Sequence, residues 1–156
     1  MEDFELTSEA FEHGSTIPVT YTCDDENFSP PLSWSDVPEG TESFALICED
    51  PDAPSGTWSH WVLYNIPGDR KNLPANLMPG PELHWGAKHG VNDFDKMEYG
   101  GPCPPPGKPH RYFFFLYALD APLDLEPGAT REEVRATMTG HMLGQAELMG
   151  RYSRRT

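Results

Sequence analysis

Residues Arg111–Leu119 read "RYFFFLYAL", nine residues with a single charge and a density of Phe, Tyr and Leu that a solvated surface does not carry. Aromatic side chains fit a pleated surface, and the run is short for a core helix, so it reads as a strand. A strand with one wet face alternates polar and apolar residues; near-continuous apolarity means that both faces are covered. That is the place of a central strand in a sandwich carrying extra elements on one side. Ser43–Cys48 "SFALIC" and Trp58–Ile66 "WSHWVLYNI" have the same character, and each run is bounded by Pro or Gly.

Weaker strands are expected at Phe4–Leu6 and Val19–Thr22, and at the end, where "AELMGRYSR" sets Ala146, Leu148, Gly150 and Tyr152 against polar neighbours. One helix is expected from Thr130, where "TREE" forms a capping box with Glu133, and Val134, Met138 and Met142 recur at helical spacing as a stripe packed on the sheet. The long connections Leu73–Pro81 and Gly100–Pro109 are rich in proline, which fixes φ and lets a loop be long yet rigid. Rigid loops beside strands are where binding groups are usually placed.

The 156 residues are read as one domain, 1–156, and the 17 prolines and 14 glycines point to short elements joined by turns. Fifteen Asp and Glu precede the first basic residue, Arg70, and the net charge is -14. Such a surface repels phosphate backbones, so no nucleic-acid partner is expected. No apolar run approaches a membrane span and the first residues do not resemble a secretory leader, so a cytoplasmic protein without stable membrane insertion is expected. Cys23, Cys48 and Cys103 are an odd set with no Cys-x-x-Cys, which reads as reduced thiols in or near the core.

Chemistry gathers in two places. "DPDAPSGTWSHW" spans Asp50–Trp61, and side chains two apart in extended chain share a face, which groups Asp50 with Asp52. By the same rule His110 and Tyr112 share a face and Arg111 turns away. His60 begins a third strand. If the three strands are neighbours, two Asp, two His and one Tyr converge on one rim. Each residue also has a plainer reading: Asp before Pro binds its own backbone in a turn, a lone His is a hydrogen-bonded structural residue, and Arg111 is half of a structural ion pair.

"DPDAPSGTWSHWVLYNIPG" and "GGPCPPPGKPHRYFFFLYALD" resemble the two signature blocks of the phosphatidylethanolamine-binding protein family, most closely its bacterial and archaeal Raf-kinase-inhibitor-like branch. The likeness continues through "FSPPLSWSDVP", "GVNDF" and "GHMLGQAELMGRYSR" and covers nearly the whole chain. It implies an all-β fold, a sandwich of two antiparallel sheets with a few peripheral helices, including one near the C-terminus. It also implies a non-enzymatic binding protein without metal or cofactor. Its pocket for phosphate, acetate or a phosphoethanolamine headgroup would be built from Asp50, Asp52, His60, His110 and Tyr112, with Gly101 and Pro102 on the rim. An Asp behind the histidines would favour their protonated form, and anion binding would then be tighter at pH 6 than at pH 8.

Two further classes compete. Two His and a carboxylate are a ligand set for iron or zinc, which would make Asp50, His60 and His110 the centre of a metal-dependent enzyme. Relatives of this kind also act on a protein kinase or a serine protease, and "LPANLMPGPELHWG" (Leu73–Gly86) is the surface loop whose Leu, Met and Trp would anchor such a partner or else cover the sandwich edge. Exposed edge strands also raise a homodimer.

Overall fold

Phe44, Leu46 and Cys48 lie on one side of a strand and Ala45 and Ile47 on the other, and every one of them is buried. The structure, a computed structural model describing residues 4–154, shows why. The strands are β1 (Glu5–Thr7), β2 (Leu32–Ser35), β3 (Ser43–Asp50), β4 (Trp58–Pro67), β5 (Asn72–Leu73), β6 (Lys88–His89), β7 (His110–Leu119) and β8 (Met142–Tyr152), with one helix, α1 (Arg131–Met138). A small sheet, β1-β2-β5, packs against a larger one, β6-β4-β3-β7-β8, and all pairings within the two sheets are antiparallel.

The main core lies between the sheets, where Phe44, Leu46, Trp61, Leu63 and Phe114 meet Leu6, Leu32 and Trp34. A second core lies on the outer face of the large sheet, where Ala45, Ile47, Val62 and Leu119 meet Leu123, Val134 and Met138. The central strands are therefore apolar on both faces, as their composition requires. The capping box of α1 forms as the sequence implies, with Thr130 accepting from the Glu133 amide and Glu133 reaching back to the Thr130 amide. Arg131 and Arg135 of α1 both hold Glu49 of β3, which fastens the helix to the sheet.

Three expectations are corrected, and one left open is decided. Val19–Tyr21 is a single 3-10 turn rather than a strand: Pro18 opens it, and the Thr22 hydroxyl donates to the Val19 carbonyl at 2.8 Å, a local bond that competes with strand pairing. Met142 does not extend the helical stripe. The helix stops at Thr139, Gly140 takes φ +88°, and Met142 starts β8, 48% exposed. Cys23 and Cys103 are not reduced thiols. They form a disulfide across 80 residues of sequence, leaving Cys48 free and buried. In the Leu73–Gly86 loop, Leu73 and Leu83 are buried and Trp85 stacks under Arg70 at 3.7 Å, so only Met78 stands out, at 69% exposure; the loop covers the sandwich edge. No helix among the described residues is long and apolar enough to cross a membrane. The outer edge of β8 is partly occupied, since Gly14 and Ile17 donate to Met149 and Arg151.

Two buried histidines give the fold a pH dependence. Burial holds His60 and His89 below the usual imidazole range. The neutral His89 ring is fully used: Nδ1–H donates to the Gly80 carbonyl at 2.8 Å and Nε2 accepts from Trp61 Nε1 at 3.0 Å. Below about pH 6.5 the unfolded chain takes up protons that the folded chain resists, so stability falls as pH drops. Melting curves from pH 7.5 to pH 5.5 should show Tm declining once pH passes below 6.5, each histidine contributing at most about 1.4 kcal/mol per pH unit. A Tm that is level down to pH 5.5 would contradict the neutral rings.

Candidate functional site

Antiparallel pairing in the order β4-β3-β7 sets the end of β3 beside the starts of β4 and β7. The last residue of β3 is Asp50, the third of β4 is His60, and the first and third of β7 are His110 and Tyr112. The topology alone thus brings four polar side chains from three separate segments to one end of the large sheet. All four line one cavity of about 260 Å³, together with Trp58, Phe94, Pro104 and Pro105.

Asp50, only 3% exposed, is consumed by its neighbours. One carboxylate oxygen accepts from His110 Nδ1 at 2.6 Å, and the other accepts from the Asp52 backbone amide at 2.7 Å. The first bond fixes the His110 tautomer and leaves Nε2 without a hydrogen bond among the described residues. His60 Nδ1 faces the Gly100 carbonyl at 2.7 Å, so it carries the proton and Nε2 is the acceptor. Burial lowers the His60 pKa against the pull of that bond and of Asp50. The expected pair of charged histidines therefore does not form, because burial disfavours the charged ring of His60. The Tyr112 hydroxyl is buried and has no partner, and burial with Asp50 nearby pushes its pKa well up, so it is a neutral donor.

Asp52 departs from the expected arrangement. Its amide bond back to Asp50 makes an Asx turn, so the chain bends at Pro51 and the two carboxylates do not share a face. Asp52 instead meets Arg111, with both oxygens held at 2.9 Å by the guanidinium and one also accepting from the Arg111 amide. The Arg111 bonds hold its carboxyl down at about 2. Arg111 is half of an ion pair, as the sequence suggests, but both partners are wet and the pair adds little to stability.

The rim is the proline-rich loop. Gly100 donates to the His60 carbonyl, Gly101 donates to Asn27 Oδ1 at 2.9 Å, and the Pro102 carbonyl accepts from Cys23 at 3.1 Å beside the disulfide. Gly101 lines a neighbouring cavity of about 400 Å³ rather than the central one, and Pro102 is buried behind the rim and lines neither. Sequence reasoning missed the apolar walls. Phe94 packs edge-on against His60 at 5.4 Å and Trp58 at 5.6 Å. The "GVNDF" stretch held that signal, and Asn92 explains its shape by donating to the His60 and Glu98 carbonyls. Among the described residues, no three His, Cys, Asp or Glu side chains gather as a metal-ligand set.

The chain is similar to known proteins along almost all of its length. A UPF0098 protein of Methanothermobacter thermautotrophicus is 54% identical over 149 residues, covering 96% of this chain and 98% of that one. A UPF0098 protein of Chlamydia muridarum is 44% identical, covering 95% and 97%. The crystal structure of a Chlamydia trachomatis homologue of phosphatidylethanolamine-binding proteins superposes with a TM-score of 0.90 at 41% identity, covering 99% of each chain. Escherichia coli YbcL, described as a member of the mammalian family of these proteins, gives 0.90 at 34% identity over 99% and 100%. The family model named phosphatidylethanolamine-binding protein matches residues 7–153, and with the sandwich and the His–Asp–Tyr rim in place the chain belongs to the phosphatidylethanolamine-binding protein family.

Proposed function

We propose that this protein binds, without transforming it, a small ligand carrying a phosphate or carboxylate, held in the cavity of Asp50, His60, His110 and Tyr112. The observation that carries the reading is the Tyr112 hydroxyl, a buried donor with no partner. An unsatisfied buried hydroxyl costs stability, and a ligand oxygen removes that cost. His110 Nε2, with Nδ1–H turned to Asp50, accepts from a ligand donor in the neutral ring and donates to a ligand oxygen only in the doubly protonated one. His60 Nε2 is an acceptor, which suits a ligand that also donates, such as a phosphomonoester monoanion or the ammonium of phosphoethanolamine. Trp58, Phe94 and the two prolines suit the carbon part.

We read the site as one that binds its ligand without transforming it; among the described residues, no serine is hydrogen-bonded to a histidine. Regulation of a kinase or protease would act through the rim and its ligand, since the Leu73–Gly86 loop lacks an apolar anchor beyond Met78. A cytoplasmic location fits the disulfide only where thiols are not held reduced.

Tyr112→Phe tests the reading in two directions at once. Deleting an unpartnered buried hydroxyl should leave the ligand-free variant at least as stable as wild type, while O-phosphoethanolamine or phosphate should bind about 5- to 20-fold more weakly. Thermal shift reads the first and titration calorimetry the second. Equal affinity in the variant, or no binding to wild type, overturns the proposal.

A further inference from the structure

The Cys23–Cys103 disulfide joins two exposed cysteines at the boundary of two cavities. Both residues line the cavity of about 400 Å³, and Cys103 also lines the central one with His110 and Tyr112. Exposed disulfides are the ones that thiols reach and exchange, whereas structural staples resist reduction. The two sulfurs also differ in electrostatic setting. Arg154 holds Asp24 Oδ1 through Nη2 at 3.1 Å and sets Nη1 4.0 Å from Cys103 Sγ. Cys23 is instead followed in sequence by Asp24, Asp25 and Glu26. A cation beside a sulfur favours its thiolate, and carboxylates oppose it. Cys103 is therefore the better leaving group of the pair, because the sulfur that carries the departing charge more easily leaves faster.

We propose that this bridge is a thiol-exchange site of fixed polarity, in which a small thiol becomes joined to Cys23 and Cys103 is released at the rim of the central cavity. The incoming thiolate attacks Cys23 Sγ. A new S–S bond forms there, the Cys23–Cys103 bond breaks, and its electron pair stays on Cys103 Sγ beside Arg154. The proton of the incoming thiol goes to solvent, so the step needs no other reactant. Asp93, Asp95 and Glu98 line the neighbouring cavity against Lys96 alone, which favours a thiol without an anionic group. The contacts of the Cys23 amide with Pro102 and of Gly101 with Asn27 do not pass through the sulfurs and outlast the opening. Exchange then reaches the ligand site through charge. A thiolate on Cys103 adds a negative charge to the wall of the central cavity and weakens anion binding there. This coupling rests on the proposed anion reading of that cavity; the exchange itself does not.

Peptide mapping of the oxidised wild type decides the exchange. The native protein is exposed briefly to 2-mercaptoethanol, trapped with excess N-ethylmaleimide and cleaved for mass spectrometry. Mercaptoethanol should be found on Cys23 and maleimide on Cys103, in about tenfold excess over the reverse arrangement. Arg154→Gln should lower both the exchange rate and that ratio, each by about three- to tenfold. An adduct on Cys103, an even mixture or no exchange overturns the site, as does an Arg154→Gln protein that behaves like wild type. Phosphate titration then reads the coupling in two variants that lack the bridge alike. With a phosphine reductant present and at about pH 8.5, where a cysteine is largely ionised, Cys23→Ser should bind phosphate about fivefold more weakly than Cys23→Ser/Cys103→Ser. Equal affinity of the two overturns the coupling and leaves the exchange site standing. If phosphate does not bind oxidised wild type, the central-cavity reading falls and takes the coupling with it, while the peptide map still decides the exchange.

Discussion

Reducing the Cys23–Cys103 disulfide is expected to lower the stability of this protein by about 4 kcal/mol. The bridge closes a loop across 80 residues of sequence, and the chain-entropy relation gives roughly 4.5 kcal/mol for a loop of that size. The native state has independent means of keeping its shape when the bridge opens. Cys23 donates to the Pro102 carbonyl at 3.1 Å, Gly101 to Asn27 at 2.9 Å, and the Tyr99 hydroxyl to the Tyr21 carbonyl at 2.8 Å. The loss therefore falls mainly on the unfolded state, which regains its freedom. Urea unfolding with and without dithiothreitol measures it, and Cys23→Ser/Cys103→Ser should reproduce the reduced curve. The free thiol, Cys48, is buried, and burial pushes its pKa well up, so native oxidised protein should react with a thiol reagent only slowly. A urea midpoint indifferent to dithiothreitol would show that the two sulfurs are not bonded in solution. Because Cys103 lines the central cavity, reduction should also loosen the rim and weaken ligand binding.

The fold was legible where one local rule dominated. Continuous apolarity in "SFALIC" and "RYFFFLYAL" marks strands covered on both faces, and β3 and β7 are buried as that rule requires. The Thr130–Glu133 box marks the start of α1. The short strands β5 and β6, two residues each, have no such signal, since they exist only because β2 and β4 offer them an edge. The rim residues show the same division. That His110 and Tyr112 share a face follows from strand periodicity, and their meeting with Asp50 follows from adjacency of β3 and β7. The separation of Asp50 from Asp52 does not follow from periodicity, because a side-chain bond to the Asp52 amide turns the chain where an extended reading continues it. The pairing of Cys23 with Cys103 was equally hidden, because an odd cysteine count carries no information on which two come close. Burial of His60 lay outside any local pattern as well, since it depends on Phe94 from a distant loop.

Gly101→Ala should be the most damaging single-methyl change at the rim. A Cβ there would lie 2.3 Å from the Tyr21 carbonyl oxygen, 2.5 Å from Asn27 Oδ1 and 3.0 Å from the Thr22 Cα. Two of these atoms are backbone, and the third is the acceptor that holds the Gly101 amide. Neither side can retreat freely: the Val19–Tyr21 turn is tied to the loop by the Tyr99 hydroxyl and by the disulfide beside it. Overpacking between fixed walls costs at the upper end of its usual range, about 3 kcal/mol, or a fall in Tm of roughly 6–12 °C for a chain of this size. Gly107→Ala in the same loop is the matched control. Gly107 has open space around its Cα but φ +135°, a conformation L residues rarely adopt, so the added methyl meets backbone strain alone, about 1–3 kcal/mol, and no overpacking. The two substitutions should also differ at the site. Displacing Gly101 moves the adjacent Gly100 carbonyl, which holds His60 Nδ1 at 2.7 Å, and so releases the ring from its fixed tautomer. Gly101→Ala should therefore weaken phosphoethanolamine binding as well as the fold, whereas Gly107→Ala, remote from these contacts, should leave affinity intact. A Gly101→Ala protein that melts within about 2 °C of wild type would show that the rim is looser than its clamps imply, and rigidity of the proline loop would then no longer explain how His60 is held.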